Sequence, residues 1–134
     1  MPYWQLFYHI VWATHYREPL ISPELEPMVH GLLRSKAVAL GATVYALNGM
    51  PDHVHMVAAI PPSLSVAEFI GKIKGVTSTR INQSGAREHR FSWQDEYAAF
   101  SFDAKRLPRV VAYVENQKVH HASSDLIPAL ERTG

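Results

Sequence analysis

The 134-residue chain contains no cysteine, which excludes a disulfide framework and any thiolate metal site. It has no apolar run of about 18 residues, so no helical membrane span is expected. Charge of one sign is also missing. Lys and Arg number 13 against 12 Asp and Glu, for a formal net charge of +1, and the sequence pI is about 8.1. A protein that clamps long duplex DNA is far more basic, so any nucleic-acid role must rest on a local patch or a small footprint. The opening stretch MPYWQLFYHIVWATHYREPL lacks a basic start and a cleavage site after its apolar part, and it reads as a strand rather than a signal peptide. Internal repeats and low-complexity runs are absent as well. The lack of cysteine fits a cytoplasmic protein without demanding one.

What is present suits one globular domain over residues 1–134, with a hydrophobic content of 47%. QLFYHIVWAT (5–14) is aromatic and β-branched and predicts a buried strand. The proline-rich REPLISPELEP predicts a loop. Residues 24–41 predict a helix with Met28, Leu32 and Leu33 on one face, Pro27 in its first turn and Gly41 as a left-handed cap. Residues 42–50 and 53–60 predict two strands of a hairpin around NGMPD, the second apolar on both faces and so central or doubly covered. Ser65 and Glu68 have capping-box spacing and open a helix over 65–82, with Phe69, Ile73 and Val76 as its buried stripe. Residues 91–102 predict a strand region broken near Asp95, and 107–125 a last helix with Pro108 in its first turn, followed by a loose tail. The order β-α-β-β-α-β predicts an α+β, ferredoxin-like sandwich with an added C-terminal helix. That architecture hosts many functions and decides none.

The chain carries eight histidines, and two of them are oddly placed. NGMPDHVHMVAAI puts His53 and His55 in an apolar strand with one residue between them. Residues i and i+2 of a strand point to one face, so the two rings stand side by side. Burying an imidazole without a partner costs about 1–3 kcal/mol. A divalent cation would satisfy both lone pairs, with Asp52 orienting a ring or binding the ion. Backbone or water partners would serve equally well. On the last helix Tyr113 and Gln117 are four residues apart, which puts a phenol and an amide on one helical face. Amphipathic packing of Tyr113 and solvation of Gln117 would explain that spacing too. His9, His15, His30 and His89 give no signal beyond packing or solvation. His120 and His121 would face the helix C-terminal dipole. Lys72, Lys74, Arg80 and Arg90 form a candidate phosphate-binding patch, or simply solvated helix faces. The aromatics Trp4, Phe7, Tyr8, Trp12 and Trp93 are better read as core or subunit surface than as base-stacking platforms.

Together these residues carry a resemblance. The chain is similar to the single-tyrosine HUH transposases of the insertion-sequence 200/605 type and their REP-associated relatives. His53-Val54-His55 is the His-hydrophobic-His motif, and YVENQ supplies Tyr113 and Gln117. Further matching stretches are YHIVWATHYREPLI, ALNGMPDHVHMV, SVAEFIGKIKGVTSTRIN, FSWQDEYAAFS and LPRVVAYVENQKVHH, covering roughly residues 3 to 121. Glu96 and Ala98 stand where family members often have glycine. The resemblance implies Tyr113 as nucleophile, with His53, His55 and Gln117 as ligands of Mg²⁺ or Mn²⁺. It further implies cleavage and rejoining of single-stranded DNA through a 5′-phosphotyrosine, recognition of a DNA hairpin, and a homodimer in which Tyr113 acts within one subunit or across two. Two other readings are distinguishable. A histidine-triad hydrolase needs a third histidine at position 57, where this chain has Val57. A non-catalytic single-stranded nucleic-acid-binding relative would need neither Tyr113 nor metal.

Overall fold

A computed structural model of the chain describes residues 3–118. Its elements in chain order are β1 (Phe7–Ala13), a short 3-10 turn (His15–Arg17), α1 (Glu26–Ala39), β2 (Thr43–Met50), β3 (His53–Ala59), α2 (Val66–Ser84), β4 (Ala98–Phe102), a second 3-10 turn (Ala104–Arg106) and α3 (Leu107–Glu115). The four strands form one antiparallel sheet in the order β2-β3-β1-β4. This is the ferredoxin-like sandwich that the element order predicts.

Period-two alternation divides the sheet's two faces. On one face Ile10, Trp12, Val54, Met56 and Ala58 pack with Val29, Leu33 and Ala37 of α1 and with Phe69, Ile70, Ile73 and Ile81 of α2. On the other face Ala46 and Val57 pack with Tyr113 and Val114 of α3, flanked by Phe102, Leu107, Val110 and Val111. Every residue of β3 is buried, because the strand is central and covered twice, as its continuous apolar run predicts.

Local signals explain most boundaries. Pro27 lies in the first turn of α1, and Gly41 follows the helix with φ +91°. The Ser65 hydroxyl accepts from Glu68 N at 3.1 Å, so the predicted cap forms. The hairpin turn is shorter than NGMPD: β2 runs to Met50, β3 starts at His53, and only Pro51 and Asp52 turn.

Four details differ from the sequence reading. On α1 the buried residues are Val29, Leu33 and Ala37, with Met28 and Leu32 half-buried beside them. On α2 Lys74 and Thr77 are buried while Val76 is only half-covered. The strand region 91–102 narrows to β4. Phe91 is instead drawn to α2, where Asn82 Oδ1 accepts from Phe91 N at 2.7 Å and Asn82 Nδ2 donates to Phe91 O at 2.8 Å. Trp93 keeps a single bridge to Thr14. α3 gives way to a turn at Asn116. The rest of the predicted helix beyond residue 118, His120, His121 and the tail lie outside the described residues.

Candidate active site

The second sheet face carries the polar groups. His55 lies opposite Val11 of β1 and Asn48 of β2, and His53 opposite Ala13 and Met50. Directly opposed residues of an antiparallel pair share a face, so both imidazoles stand on the α3 side. His53 is 1% and His55 0% exposed, with ring centroids 5.2 Å apart.

Each ring is held from behind. Asp52 Oδ1 lies 2.7 Å from His53 Nδ1, which makes Nδ1–H the donor to that carboxylate. Arg17 Nε donates to Asp52 Oδ2 at 3.3 Å. The His53 hydrogen bond, aided by the nearby cationic groups, holds the Asp52 carboxyl below its ordinary range despite partial burial. Arg17 reaches this position from a turn in which Tyr16 and Arg17 adopt φ +52° and +54°, a conformation that costs a side-chain-bearing residue about 1 kcal/mol or more. His55 Nδ1 lies 2.9 Å from Nε2 of His9. His9 shares the face through its pairing with Val57 and Phe100 and is itself buried. From the sequence alone His9 reads as an ordinary packing or solvated residue. Its one signal was alternation: Phe7, His9, Val11 and Ala13 point one way, but which way depends on register with β3.

Tyr113 meets the histidines within one chain. Its ring lies 6.0 Å from that of His9 and 6.1 Å from that of His55, edge-on to both, and it is 8% exposed. The apolar flank of α3 sets this approach by seating Val114 on Ala46 and Val57. Gln117 is fully buried just past the turn at Asn116, and its Nε2 donates to Tyr113 O at a long 3.4 Å. Both flanks of Gln117 are tied to β2 at the height of His55. Asn48 Nδ2 donates to Glu115 O at 3.0 Å, and Lys118 Nζ donates to Asn48 Oδ1 at 2.9 Å and Gly49 O at 3.1 Å. Lys118 also pairs with Glu26 of α1 at 3.0 Å. Tyr113 thus stands beside His55 on one sheet face, with Gln117 buried just past the end of its helix. Among the described residues no group of three His, Cys, Asp or Glu side chains is arranged to hold a metal ion.

The four candidate DNA-binding cations do not gather. All four lie on or beside α2, the helix packed on the opposite sheet face. Lys72 is exposed and pairs with Glu68 at 3.8 Å. Lys74 is buried, donates to Gln94 O at 2.6 Å, and has its pKa lowered by desolvation. Arg90 lines the same groove as Lys74, with Trp93, Gln94, Asp95 and Tyr97. Arg80 lies apart, beside Lys36 and Thr79. Trp12 is core, Trp93 is half-buried against it at 6.0 Å, and Trp4 is partly exposed.

The sequence profile of the family described as "Transposase IS200 like" matches residues 2–117. The chain belongs to the IS200-like transposase family. It is 25% identical to the ISDra2 transposase TnpA of Deinococcus radiodurans over 85% of each chain. It is 35% identical to the transposase of insertion sequence element IS200 of Salmonella typhimurium, over 58% of this chain and 51% of that one. Among solved structures, a candidate transposase of Deinococcus radiodurans R1 superposes with TM-score 0.69 at 26% identity, covering 87% of this chain and 93% of that one. A REP-associated tyrosine transposase bound to a REP hairpin superposes with TM-score 0.68 at 14% identity, covering 90% of this chain and 72% of that one, and supports the fold. No helix among the described residues is long and apolar enough to cross a membrane.

Proposed function

We propose that this transposase-family protein cleaves and rejoins single-stranded DNA by transesterification at Tyr113, with Mg²⁺ or Mn²⁺ held by His53, His55 and Gln117. The observation that carries the reading is the edge-on approach of the Tyr113 ring to His55 at 6.1 Å in a buried setting. The donor set fits a divalent ion. His53 gives its Nδ1–H to Asp52, which directs the Nε2 lone pair forward, the common arrangement of a carboxylate behind a ligating histidine. The amide oxygen of Gln117 adds a harder donor suited to Mg²⁺ or Mn²⁺. Bound there, the ion would polarise the scissile phosphate and offset charge gathering on its oxygens.

This chain's own groups do the rest. The Tyr113 oxygen loses its proton and attacks phosphorus. The bond to the 3′-oxygen breaks, that oxygen takes up a proton, and the 5′-phosphate stays on tyrosine. A second 3′-hydroxyl then attacks the ester, and the tyrosine oxygen leaves with its proton restored. An aryloxide leaves more readily than an alkoxide, since the phenol pKa is about 10, so rejoining needs no ATP.

For DNA contacts, exposed Arg80 and Arg90 suit phosphate binding better than Lys72, engaged by Glu68, or Lys74, turned inward to Gln94. The relative named with a REP hairpin makes hairpin DNA the ligand to try first. A homodimer belongs to the same reading and is checked by light scattering. The decisive experiment incubates labelled single strands from the flanks of the protein's own locus with Mn²⁺ or with EDTA, followed by a denaturing gel. A Mn²⁺-dependent covalent adduct, lost in Tyr113→Phe with binding retained, supports the reading. Binding without an adduct on any flanking strand replaces it with a non-catalytic nucleic-acid-binding relative.

A further inference from the structure

We infer that His9, which lies on β1 far from both motifs, is a positioning residue that selects the ring tautomer of His55; the inference rests on the metal reading above. The two rings meet nitrogen to nitrogen, His9 Nε2 to His55 Nδ1, at 2.9 Å. At that distance one nitrogen carries a proton and the other a lone pair. Two arrangements are therefore open, and only one suits a ligand at Nε2 of His55: the proton must sit on His55 Nδ1 and be donated to His9 Nε2. His9 then accepts at Nε2 and carries its own proton at Nδ1.

The surroundings hold the pair in register. His9 and His55 are 1% and 0% exposed, so water does not compete for the shared contact. The sheet places them on adjacent strands of one face, with His9 opposite Val57 and His55 opposite Val11. Phe100 at 6.3 Å and Tyr113 at 6.0 Å close around the His9 ring. His53 has a carboxylate behind it and His55 has an imidazole. The acceptor behind each ring is a different group, Asp52 for His53 and His9 for His55. The His9 ring also lies as near Tyr113 as the His55 ring does, so a change at position 9 reaches nucleophile and ligand together.

The test has two arms. Long-range proton–nitrogen NMR of the metal-free wild type reads the His55 tautomer directly, and Nδ1–H is expected. A His55 protonated at Nε2 alone overturns the inference, whatever the metal does. The second arm measures Mn²⁺ affinity by titration calorimetry. His9→Leu, which removes the acceptor at similar volume, should weaken binding roughly 10–100-fold. His9→Gln, whose amide oxygen reaches near the place of Nε2, should stay within a few-fold of wild type. Circular dichroism establishes that both variants fold. Equal affinity in the folded Leu variant, or no recovery in a folded Gln variant, counts against His9. A wild type that binds no Mn²⁺ removes the metal reading and this role with it, while the NMR arm still reports the His9–His55 hydrogen bond on its own.

Discussion

Val114→Ala should loosen the tyrosine helix without loosening the rest of the fold. Val114 is fully buried against Ala46 and Val57 on the face that α3 covers. Removing two carbons forfeits about 1.6 kcal/mol at roughly 0.8 kcal/mol per methylene, and the cavity left behind brings the loss to about 2 kcal/mol. A helix as short as α3, Leu107–Glu115, is not stable alone in water, so its order comes from this contact with β2 and β3. The cost should therefore appear as local opening. A loss of about 2 kcal/mol is about a thirtyfold rise in the open population. Native-state hydrogen exchange reads it directly: amides of Val111–Glu115 should exchange about thirtyfold faster, while those of α1 and α2 hold nearly steady. Val29→Ala is the control. Val29 is equally buried but belongs to the cluster on the other face, so it should lower global stability while sparing the local opening of α3. If Val114→Ala speeds exchange in all three helices alike, α3 is not a separately docked element and the two-cluster account is wrong.

Other expectations follow from single contacts. Gly49→Ala should cost several kcal/mol and distort the hairpin, because a Cβ there would overlap the His53 carbonyl oxygen and lie 3.0 Å from Val54 Cα; a melting temperature within a few degrees of wild type refutes this. Lys118→Met removes bonds to Asn48, Gly49 and Glu26, but the side chain is half-exposed, so global stability should fall by no more than about 1 kcal/mol, while amides near Gln117 exchange several-fold faster. His30 on α1 has its pKa lowered from 6.5, chiefly by burial, with Glu26 opposing. Folding thus favours the neutral ring, and the stability this adds is present above pH 6.5 and lost as pH falls through the lower folded value. His30→Gln should flatten that acid sensitivity in denaturation curves taken across the window, and an unchanged slope would contradict it.

The sequence and the structure agree where one local rule governs. The double-sided apolar run of β3 required a central strand, and its period-two histidines required a shared face. Proline and glycine marked the ends of α1, and Ser65 capped α2. Tyr113 and Gln117 do share a side, though a turn at Asn116 intervenes. What sequence alone left hidden depended on pairing between distant strands. His9 looked like an ordinary core residue until strand register set it against His55. Lys74 sits where helical periodicity suggests a surface cation, yet segment 91–95 folds over α2 and turns its ammonium inward to Gln94. Arg17 approaches Asp52 and His53 only through two left-handed residues that no composition rule anticipates.

The central claim is that Tyr113 is the group that takes the DNA strand. Trypsin cleavage after Arg109 and Lys118 releases the peptide VVAYVENQK, in which Tyr113 is the sole tyrosine. Mass spectrometry of the Mn²⁺-dependent adduct should find that peptide carrying nucleotide on Tyr113 through the 5′-phosphate. An adduct mapped to any other residue, or one linked through a 3′-phosphate, would contradict the account.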